Sequence, residues 1–350
     1  MAKLEYQSVT YVINPPAEGE AEQLLAELDA RRFNRNAPPP EPEALFTISG
    51  AKIATAGNIV VVQAQSKAGK SAFLGAMLAA AMHPEASEEM TLGIRSAGAG
   101  GRALIHFDTE QSRYDYFALV ERSLTRSVLD IVPHFLRSYC VTDVGLEERL
   151  RMLRAEMERA GEVFAVFLDG VADFVHDPND PAEAFAFVAE LHRMAIQYNC
   201  AFICVLHENP GALSGKTRGH LGSQLERKAE TNLRMEKGSD DVTCVWTDRA
   251  RHCSIPKTRG LRFAWSDTAG MHVPAESAND ARAKTAADEL TSFTASVFDG
   301  NKGGFGWREL IDRMMLVGGL KESGARTRLK KMNEQGLIQK DLLHKWQFSA

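Results

Sequence analysis

The chain has 350 residues, of which 44% are apolar and 25% charged, and its formal net charge is −5. These proportions are typical of a soluble globular protein and exclude a disordered tail, a collagen and a coiled-coil rod. No apolar run approaches the ~18 residues of a membrane span, and the first ten residues contain no apolar segment typical of a secretory signal. We therefore expect about two domains, no secretory signal and no membrane partner.

Residues 1–45 read as an N-terminal extension that ends in a proline-rich linker. The segment SVTYVI is typical of a short strand, and AEGEAEQLLAELDARRF predicts a charged amphipathic helix with Leu24, Leu25 and Leu28 on one face. The run APPPEPE is typical of a stiff, polyproline-like linker. The helix could fold back on its own domain or lie on a neighbouring molecule, and the sequence leaves both arrangements open.

Residues 46–275 predict an α/β domain. Four apolar runs, NIVVVQA, ALIHFD, VFAVFLD and AFICVLH, are separated by stretches of helical period such as SAFLGAMLAAAM. Because the runs do not alternate polar and apolar residues, they indicate a mostly parallel sheet covered on both faces and wound by β-α-β crossovers. The later stretches TCVWTD and CSIPKTRGLRFAWS predict short strands that extend this sheet.

The five cysteines include no C-x-x-C pair, and Cys200 and Cys204 lie four apart on a predicted strand. Residues four apart on a strand share one face, so we expect buried thiols at these positions and no metal site. Sparse, unpaired cysteines indicate a reducing compartment, and we expect the protein to be cytoplasmic.

Residues 280–350 predict helix, helix, helix and hairpin, an order that resembles a winged helix-turn-helix. The third helix, in SGARTRLKKMNEQG, has Ser323 as its expected N-cap and Gly336 as its stop. The last 50 residues contain ten basic and five acidic residues, so a basic tail follows an acidic body. A recognition helix would contact nucleic acid through residues of the third helix: Arg326, Arg328, Lys330 and Lys331. A helical protein-interaction module with a solvated basic face is the alternative.

The strongest motif is AQSKAGKS at residues 64–71, which follows an apolar strand and precedes a helix. That context predicts a phosphate-binding loop whose backbone N–H groups and helix N-terminus hold an anion. Lys70 would reach the β- and γ-phosphates, Ser71 would bind Mg²⁺, and Ala64 stands where the usual pattern begins with glycine. The expected nucleotide contacts are Ala64, Gln65, Ser66, Lys67, Ala68, Gly69, Lys70, Ser71 and Ala72.

Polar residues at the ends of the other strands predict the remaining chemistry, because open α/β sheets bind ligands at their carboxyl edge. We expect Glu110 to be the base that activates water, with Asp108 structural. Asp169 is expected to order Mg²⁺, ahead of Asp173, and His207 to sense the γ-phosphate. The alternatives are a solvated or helix-capping acid after the second strand and a buried, satisfied histidine after the fourth.

The motifs AQSKAGKS, FDTEQ, VFLD and VLH, in this order, resemble the RecA-like ATPase core, and the position of Glu110 is similar to hexameric helicases of the RepA and DnaB type. The resemblance covers residues 46–270. It implies that ENPGALSGKTRGHLGS is a DNA-contacting channel loop with Lys216 and Arg218 as its cations. It also implies that Arg259 of IPKTRG is an arginine finger reaching the neighbouring subunit, with Lys257 as its partner. A solvated hairpin tip is the alternative for Lys257 and Arg259.

The expected protein is therefore a ring-forming, hexameric ATPase that uses ATP and Mg²⁺ and acts on single-stranded DNA. We expect a RepA-like replicative helicase of a plasmid or mobile element, with replication or mobile-element proteins as possible partners. Two alternatives remain: a DNA-binding ATPase without unwinding activity, such as an initiator, loader or recombination mediator, and a regulatory ATPase switch whose tail binds protein.

Overall fold

The protein is described by a computed structural model that covers residue 17 and the ranges 19–208, 219–252, 254–276, 278–301, 303–341 and 344–348, with only the backbone described at 278–285. The chain divides into two compact units, Met1–Pro42 and Glu43–Ala350. The second unit begins slightly before the boundary expected at residue 46, because Ala44 already opens its first strand.

In the first unit, the described residues contain helix α1 (Glu20–Ala30), which confirms the predicted amphipathic helix. None of its residues is buried, and Leu24, Leu25 and Leu28 are 46%, 60% and 64% exposed. The predicted strand SVTYVI lies outside the described residues.

The second unit contains strands at all four predicted apolar runs, together with further strands that the sequence does not predict. Its strands are β1 (Ala44–Ile48), β2 (Ala51–Thr55), β3 (Ile59–Ala64), β4 (Ile94–Ser96), β5 (Ala103–Asp108), β6 (Leu136–Cys140), β7 (Val163–Asp169), β8 (Ala201–His207), β9 (Thr231–Lys237), β10 (Thr243–Ala250), β11 (Leu261–Ser266), β12 (Met271–Pro274), β13 (Ile338–Lys340) and β14 (Trp346–Phe348). Its helices are α2 (Lys70–Met82), α3 (Arg113–Ser127), α4 (Leu146–Ala160), α5 (Pro181–Gln197), α6 (Gly219–Lys228), α7 (Ala278–Phe298), α8 (Trp307–Gly318) and α9 (Glu322–Glu334).

A nine-stranded sheet of order β12-β11-β10-β9-β3-β8-β7-β5-β6 forms the centre of this unit. The six strands from β9 to β6 are parallel to their neighbours, whereas β10, β11 and β12 are added antiparallel. The predicted α/β class with a large, mostly parallel sheet is thus confirmed. A second sheet, β2-β1-β4, is antiparallel.

Apolar clusters cover both faces of the large sheet, which explains why its parallel strands are continuous apolar runs. Helix α2 is apolar all round and almost wholly buried within the first cluster, as expected for a helix enclosed by protein on every side. Cys200 and Cys204 are fully buried in the second cluster, where burial raises the pKa of the Cys200 thiol to about 12. The expectation of buried apolar thiols is confirmed at these two positions.

Helices α7–α9 and the β13-β14 hairpin have an apolar cluster of their own. Two local predictions need correction here. Helix α7 begins at Ala278, inside the stretch expected to be a boundary, because the alanine-rich segment that follows favours helix. Helix α9 begins one residue before Ser323, so Lys321 takes the N-cap position and Glu322 the favourable first turn. Gly336, in the left-handed conformation (φ +70°), lies just after the helix end, where it was predicted.

Candidate active site

The carboxyl ends of β3, β5, β7 and β8 lie at one edge of the sheet, since these strands are parallel and adjacent. The register pairs Ala64 with His207 and Asp108 with Asp169. The residues predicted at four separate strand ends are therefore brought together. A cleft of about 340 Å³ lies over this edge, with a lining of Lys67, Gly69, Lys70, Ser71, Ala72, Glu110, Gln111, Arg122, Asp169, Trp265 and His272.

The backbone conformation of the loop between β3 and α2 explains which residues it contains. Ala64 ends β3 in extended conformation, so alanine in place of the usual glycine causes no backbone strain. Lys67 and Gly69 are left-handed, with φ of +63° and +84°. A Cβ on Gly69 would lie 2.9 Å from the Phe263 ring, so this glycine is also required for close packing.

Lys70, His207 and Glu110 form a chain of hydrogen bonds whose two end members, Lys70 and Glu110, line the cleft. Lys70 Nζ lies 3.1 Å from His207 Nδ1, and His207 Nε2 lies 2.9 Å from both carboxylate oxygens of Glu110. Lys70 is almost completely buried. A lysine donor fixes His207 Nδ1 as the acceptor, which leaves Nε2–H to donate to the carboxylate.

The charges in this chain of hydrogen bonds act on one another. Burial lowers the pKa of Lys70, while the negative charges of Glu110, Asp169 and Glu208 oppose that effect. Burial acts to raise the pKa of Glu110, but the hydrogen bond and the electrostatic interaction with His207, together with the charge of Lys70, outweigh it and lower the pKa. Glu110 is consequently held as a carboxylate, the form that can accept a proton.

Asp169 and Asp108 are buried neighbours with different surroundings. Asp108 Oδ1 accepts hydrogen bonds from the backbone N–H groups of Glu110 (3.0 Å) and Gln111 (2.9 Å), and its Oδ2 accepts one from Gln111 Nε2 (2.7 Å). These bonds hold the turn that carries Glu110, which is the structural role expected of Asp108. Asp169 instead lines the cleft, and burial together with the nearby charges of Asp108 and Glu110 raises its pKa to about 7.

Two residues that the sequence analysis did not select hold the ends of β5 and β7 together. Thr109 Oγ1 donates to the carbonyl oxygens of Asp169 (3.0 Å) and Gly170 (3.1 Å). Gly170 has φ +94°, and a Cβ there would lie 2.1 Å from Thr109 Oγ1 and 2.8 Å from Glu110 Cγ. Only glycine therefore allows Glu110 to occupy its position beside Asp169. An aspartate-glycine pair at a strand end is the signal that could have identified this position.

We expect Gly170→Ala to lower the free energy of unfolding by roughly 2–5 kcal/mol, because the substitution adds left-handed strain to overpacking. Gly270→Ala is the matched control, since Gly270 also has positive φ (+61°) but a Cβ added there would meet no atom within 4 Å. The control should lose about 1–2 kcal/mol. Urea denaturation of both variants measures the difference, and equal losses would contradict the close packing of Gly170 against Glu110.

Beneath Asp169 lies a buried histidine. His106 Nδ1 is 2.9 Å from Ser138 Oγ, which also accepts a hydrogen bond from the Tyr116 hydroxyl (2.9 Å). Within the described part of the chain, His106 Nε2 has no hydrogen-bond partner. Ligand atoms of His106, Asp108 and Asp169 all lie within 4.8 Å of one another. Complete burial lowers the pKa of His106 to about 4.

This histidine predicts a specific pH dependence of stability. Its folded-state pKa lies below the unfolded value of about 6.5, so the unfolded chain binds the proton first as the pH falls. The stabilisation that neutral His106 provides is therefore fully present above pH ~6.5 and is lost as the pH falls towards ~4. Between pH 7.5 and pH 5, the free energy of unfolding should fall by about 2 kcal/mol for this reason. Urea denaturation of His106→Asn should show a correspondingly flatter pH profile, whereas exposed His134→Asn should keep the wild-type profile. Identical profiles for His106→Asn and wild type would contradict the assignment.

A buried ion pair follows His207 in the chain. Arg234 Nε donates to Glu208 Oε1 (2.7 Å), and the Arg234 guanidinium lies 5.5 Å from the centre of the Trp246 ring. Lys257 Nζ lies 4.7 Å from the same ring and 2.8 Å from Glu236 Oε2. The element that carries Lys257 is thus connected through packed side chains to the end of β8.

The two cations of IPKTRG lie outside the cleft lining. Arg259 is exposed and lines a different surface cleft together with Glu88 and Glu89. Within the described residues, no hydrogen bond or ion pair engages its side chain. Lys257 forms an exposed ion pair with Glu236 and lies over Trp246. Among the described residues, Arg259 makes no such contact, so its side chain is the more accessible of the two.

The predicted nucleic-acid contacts divide into two sets. Lys216 and Arg218 lie outside the described residues. Arg326, Arg328, Lys330 and Lys331 are exposed on α9. The Arg326 guanidinium lies over the Trp307 ring (5.1 Å) and donates to Glu322, while that of Arg328 lies over Phe293 (4.6 Å). These ring contacts and the ion pair lie on the protein surface, where charged groups exchange readily between such partners and solvent.

Comparisons with known proteins give no match: no family model matches the chain, and no curated protein matches it. In the part of the chain that the structure describes, no helix has the length and apolar character needed to span a membrane. What the cleft can do chemically therefore follows from its own residues.

Proposed function

We propose that the protein is a RecA-like, Mg²⁺-dependent ATPase and that the cleft is its hydrolytic site. One observation carries this proposal: Lys70, Glu110 and Asp169 line one cleft at the carboxyl edge of parallel strands, and His207 is hydrogen-bonded to both Lys70 and Glu110. A glycine-containing loop that precedes a helix lies beside them. A lysine for phosphate, a carboxylate base and a second acid for metal are the parts that phosphoryl transfer to water requires.

Phosphate binding is the task of the loop and of the start of α2. Backbone N–H groups at a helix N-terminus favour an anion, and Lys70 adds a positive charge at that point. Lys70 is buried and already within 3.1 Å of His207, so both groups are positioned before a ligand arrives. In this proposal His207 contacts the γ-phosphate and changes its bond to Glu110 when that phosphate is present.

The residues present fit Mg²⁺. Ser71 and Asp169 both line the cleft, and oxygen donors of this kind are the preferred ligands of Mg²⁺. The raised pKa of Asp169 reflects burial and the negative charges of Asp108 and Glu110, which a divalent cation would offset. Bound Mg²⁺ would neutralise charge on the phosphates, while Ser71 and Asp169 would hold it.

Glu110 is the proposed base. Its carboxylate accepts a hydrogen bond from His207, and its charged form is favoured, so it can orient and deprotonate a water molecule. Gly170 and Asp108 keep it in place from the two adjacent strand ends.

We propose that Arg259 completes the site of a neighbouring subunit, with Lys257 beside it, and that the subunits form a hexameric ring. Two observations on the described residues support this arrangement. The Arg259 side chain makes no hydrogen bond or ion pair there, and it lies outside the cleft of its own subunit. A head-to-tail interface of this kind closes into a ring or continues as a helix. A hexameric mass in ATP and Mg²⁺ is expected. A monomeric mass with hydrolysis independent of protein concentration would contradict it.

The proposed task is DNA unwinding, as in RepA-like replicative helicases of plasmids or mobile elements. Helices α7–α9 and the β13-β14 hairpin have the element order of a winged helix, and α9 presents four exposed cations. Strand separation of a forked duplex with ATP and Mg²⁺ tests this task directly. Hydrolysis stimulated by single-stranded DNA without strand separation would instead favour an initiator, loader or recombination mediator.

The affinity of the protein for DNA, measured at several salt concentrations, distinguishes a nucleic-acid partner of the basic tail from a protein partner. Affinity for single-stranded DNA should fall steeply between 50 and 200 mM salt, because phosphate contacts release counterions. The channel loop would carry DNA by its backbone charge, without base preference. No DNA affinity at low salt would favour a regulatory ATPase switch.

A further inference from the structure

Three aromatic side chains form a row beside the loop between β3 and α2, and two of them, His272 and Trp265, line the cleft. The Phe263 ring is buried against Gly69, the His272 ring lies 5.5 Å from it, and the Trp265 ring lies 5.5 Å from His272, with successive rings edge to face. We call Phe263, His272 and Trp265 the aromatic row. Phe263 and Trp265 are two residues apart on β11 and so share a face, while His272 lies opposite Trp265 on β12.

The row ends in an exposed ring. Phe263 is fully buried, His272 is half-buried and Trp265 is 51% exposed. Trp265 is moreover held in place, because its indole Nε1–H donates to Asp267 Oδ1 at 2.8 Å. A large aromatic face that is fixed in a cleft beside charged side chains is suited to stacking.

Trp265 lines the same cleft as Lys70 and Ser71 and lies two residues along β11 from the ring that packs against Gly69. Two residues of a strand span roughly 6.6 Å of backbone, which separates Trp265 from the loop itself. A ligand whose phosphates are held at Lys70 and Ser71 would extend past its sugar to Trp265, since all of these residues line one cleft.

We propose that Trp265 is the base-stacking platform of this site, that the site takes purine nucleoside triphosphates, and that it discriminates little between adenine and guanine. This inference rests on the proposed nucleotide-binding function of the same cleft. The indole N–H is already bonded to Asp267, so Trp265 offers only its face, and every purine has such a face. Purines present more stacking area than pyrimidines do.

The charges at this end of the cleft agree with such a ligand. Arg122 lines the cleft, and Arg126 is buried behind it with a guanidinium N–H donated to the His272 carbonyl. Burial, together with these two arginines, lowers the pKa of His272, which keeps its ring neutral at neutral pH. The ligand therefore meets a positive charge from Arg122 and a neutral aromatic surface from the row.

The test is calorimetric titration with Mg²⁺ and three probes: a non-hydrolysable ATP analogue, the corresponding GTP analogue and inorganic tripolyphosphate. Both nucleotides should bind at least about tenfold more tightly than tripolyphosphate, because stacking adds to phosphate binding. Their two affinities should lie within about threefold of each other. Trp265→Ala should remove the advantage of the nucleotides and leave tripolyphosphate affinity unchanged. Trp265→Phe should retain most of it.

The matched control is Phe185→Ala, because Phe185 is an aromatic residue of α5 that is 65% exposed and lies outside the cleft. This variant should bind all three probes as wild type does. Nucleotide affinity unchanged in Trp265→Ala, or equal affinity of wild type for tripolyphosphate and nucleotides, would overturn the stacking role alone. No binding of any probe by wild type would overturn the proposed nucleotide site itself. The wild-type comparison remains decisive if Trp265→Ala does not fold.

Discussion

Replacing Glu110 by glutamine is expected to lower the turnover number for ATP hydrolysis about 10²–10⁴-fold, the range typical of a lost general base. Glutamine retains the shape of the side chain and an oxygen that can accept the hydrogen bond from His207. It cannot take a proton from water. Nucleotide affinity should therefore remain within a few-fold of wild type. Single-turnover hydrolysis and equilibrium binding, measured on the same preparation, separate the two effects.

Glu121→Gln provides the control, because Glu121 is an exposed acid on α3 outside the cleft lining. It should hydrolyse ATP at the wild-type rate. A Glu110→Gln variant with normal turnover would remove Glu110 from the role of base, and a variant that also lost nucleotide affinity would indicate a structural role instead.

Arg259→Ala is expected to lower hydrolysis about 10³–10⁵-fold in the assembled protein, as removal of an arginine finger does. The side chain is exposed and unpaired within the described residues, so the substitution should change stability little. Arg249→Ala is the matched control: Arg249 is likewise an exposed arginine of the same region, with only a loose pair to Asp248 at 3.8 Å. Thermal unfolding and steady-state hydrolysis together give both quantities.

A mixing experiment tests whether Arg259 acts on a neighbour. Subunits with Arg259→Ala have an intact phosphate loop, and subunits with Lys70→Ala have an intact finger. Each variant alone should be inactive, whereas a mixture should recover part of the wild-type rate at interfaces that combine the two intact halves. A mixture as inactive as its components would place Arg259 outside the reaction of the neighbouring subunit.

Much of the site could be predicted because its residues follow strands with an unmistakable pattern. β3, β5, β7 and β8 are continuous apolar runs, and parallel strands place the residues after them at one edge. The phosphate loop at Ala64–Ser71 and the polar residues Glu110, Asp169 and His207 were selected on that basis, and the structure brings them together.

The rest depends on contacts between segments far apart in the chain. The hydrogen bond from Thr109 to the Asp169 carbonyl, and the packing of Gly170 against Glu110, join two strands that no local pattern pairs. The sequence around Trp265 indicates only a strand, because its place in the cleft depends on β12 and on the loop at Gly69, which are separate segments of the chain. The cap position was also beyond the sequence: serine is a preferred N-cap residue, yet α9 starts at Glu322 with Lys321 in the N-cap position.

Steady-state ATP hydrolysis with Mg²⁺, measured with and without single-stranded DNA, tests whether this cleft is an ATPase site coupled to DNA. Wild type should hydrolyse ATP, DNA should increase the rate several-fold, and Glu110→Gln should lower both rates about 10²–10⁴-fold. Hydrolysis that is indifferent to DNA would contradict the coupling. No hydrolysis by wild type under either condition would contradict the assignment of the cleft.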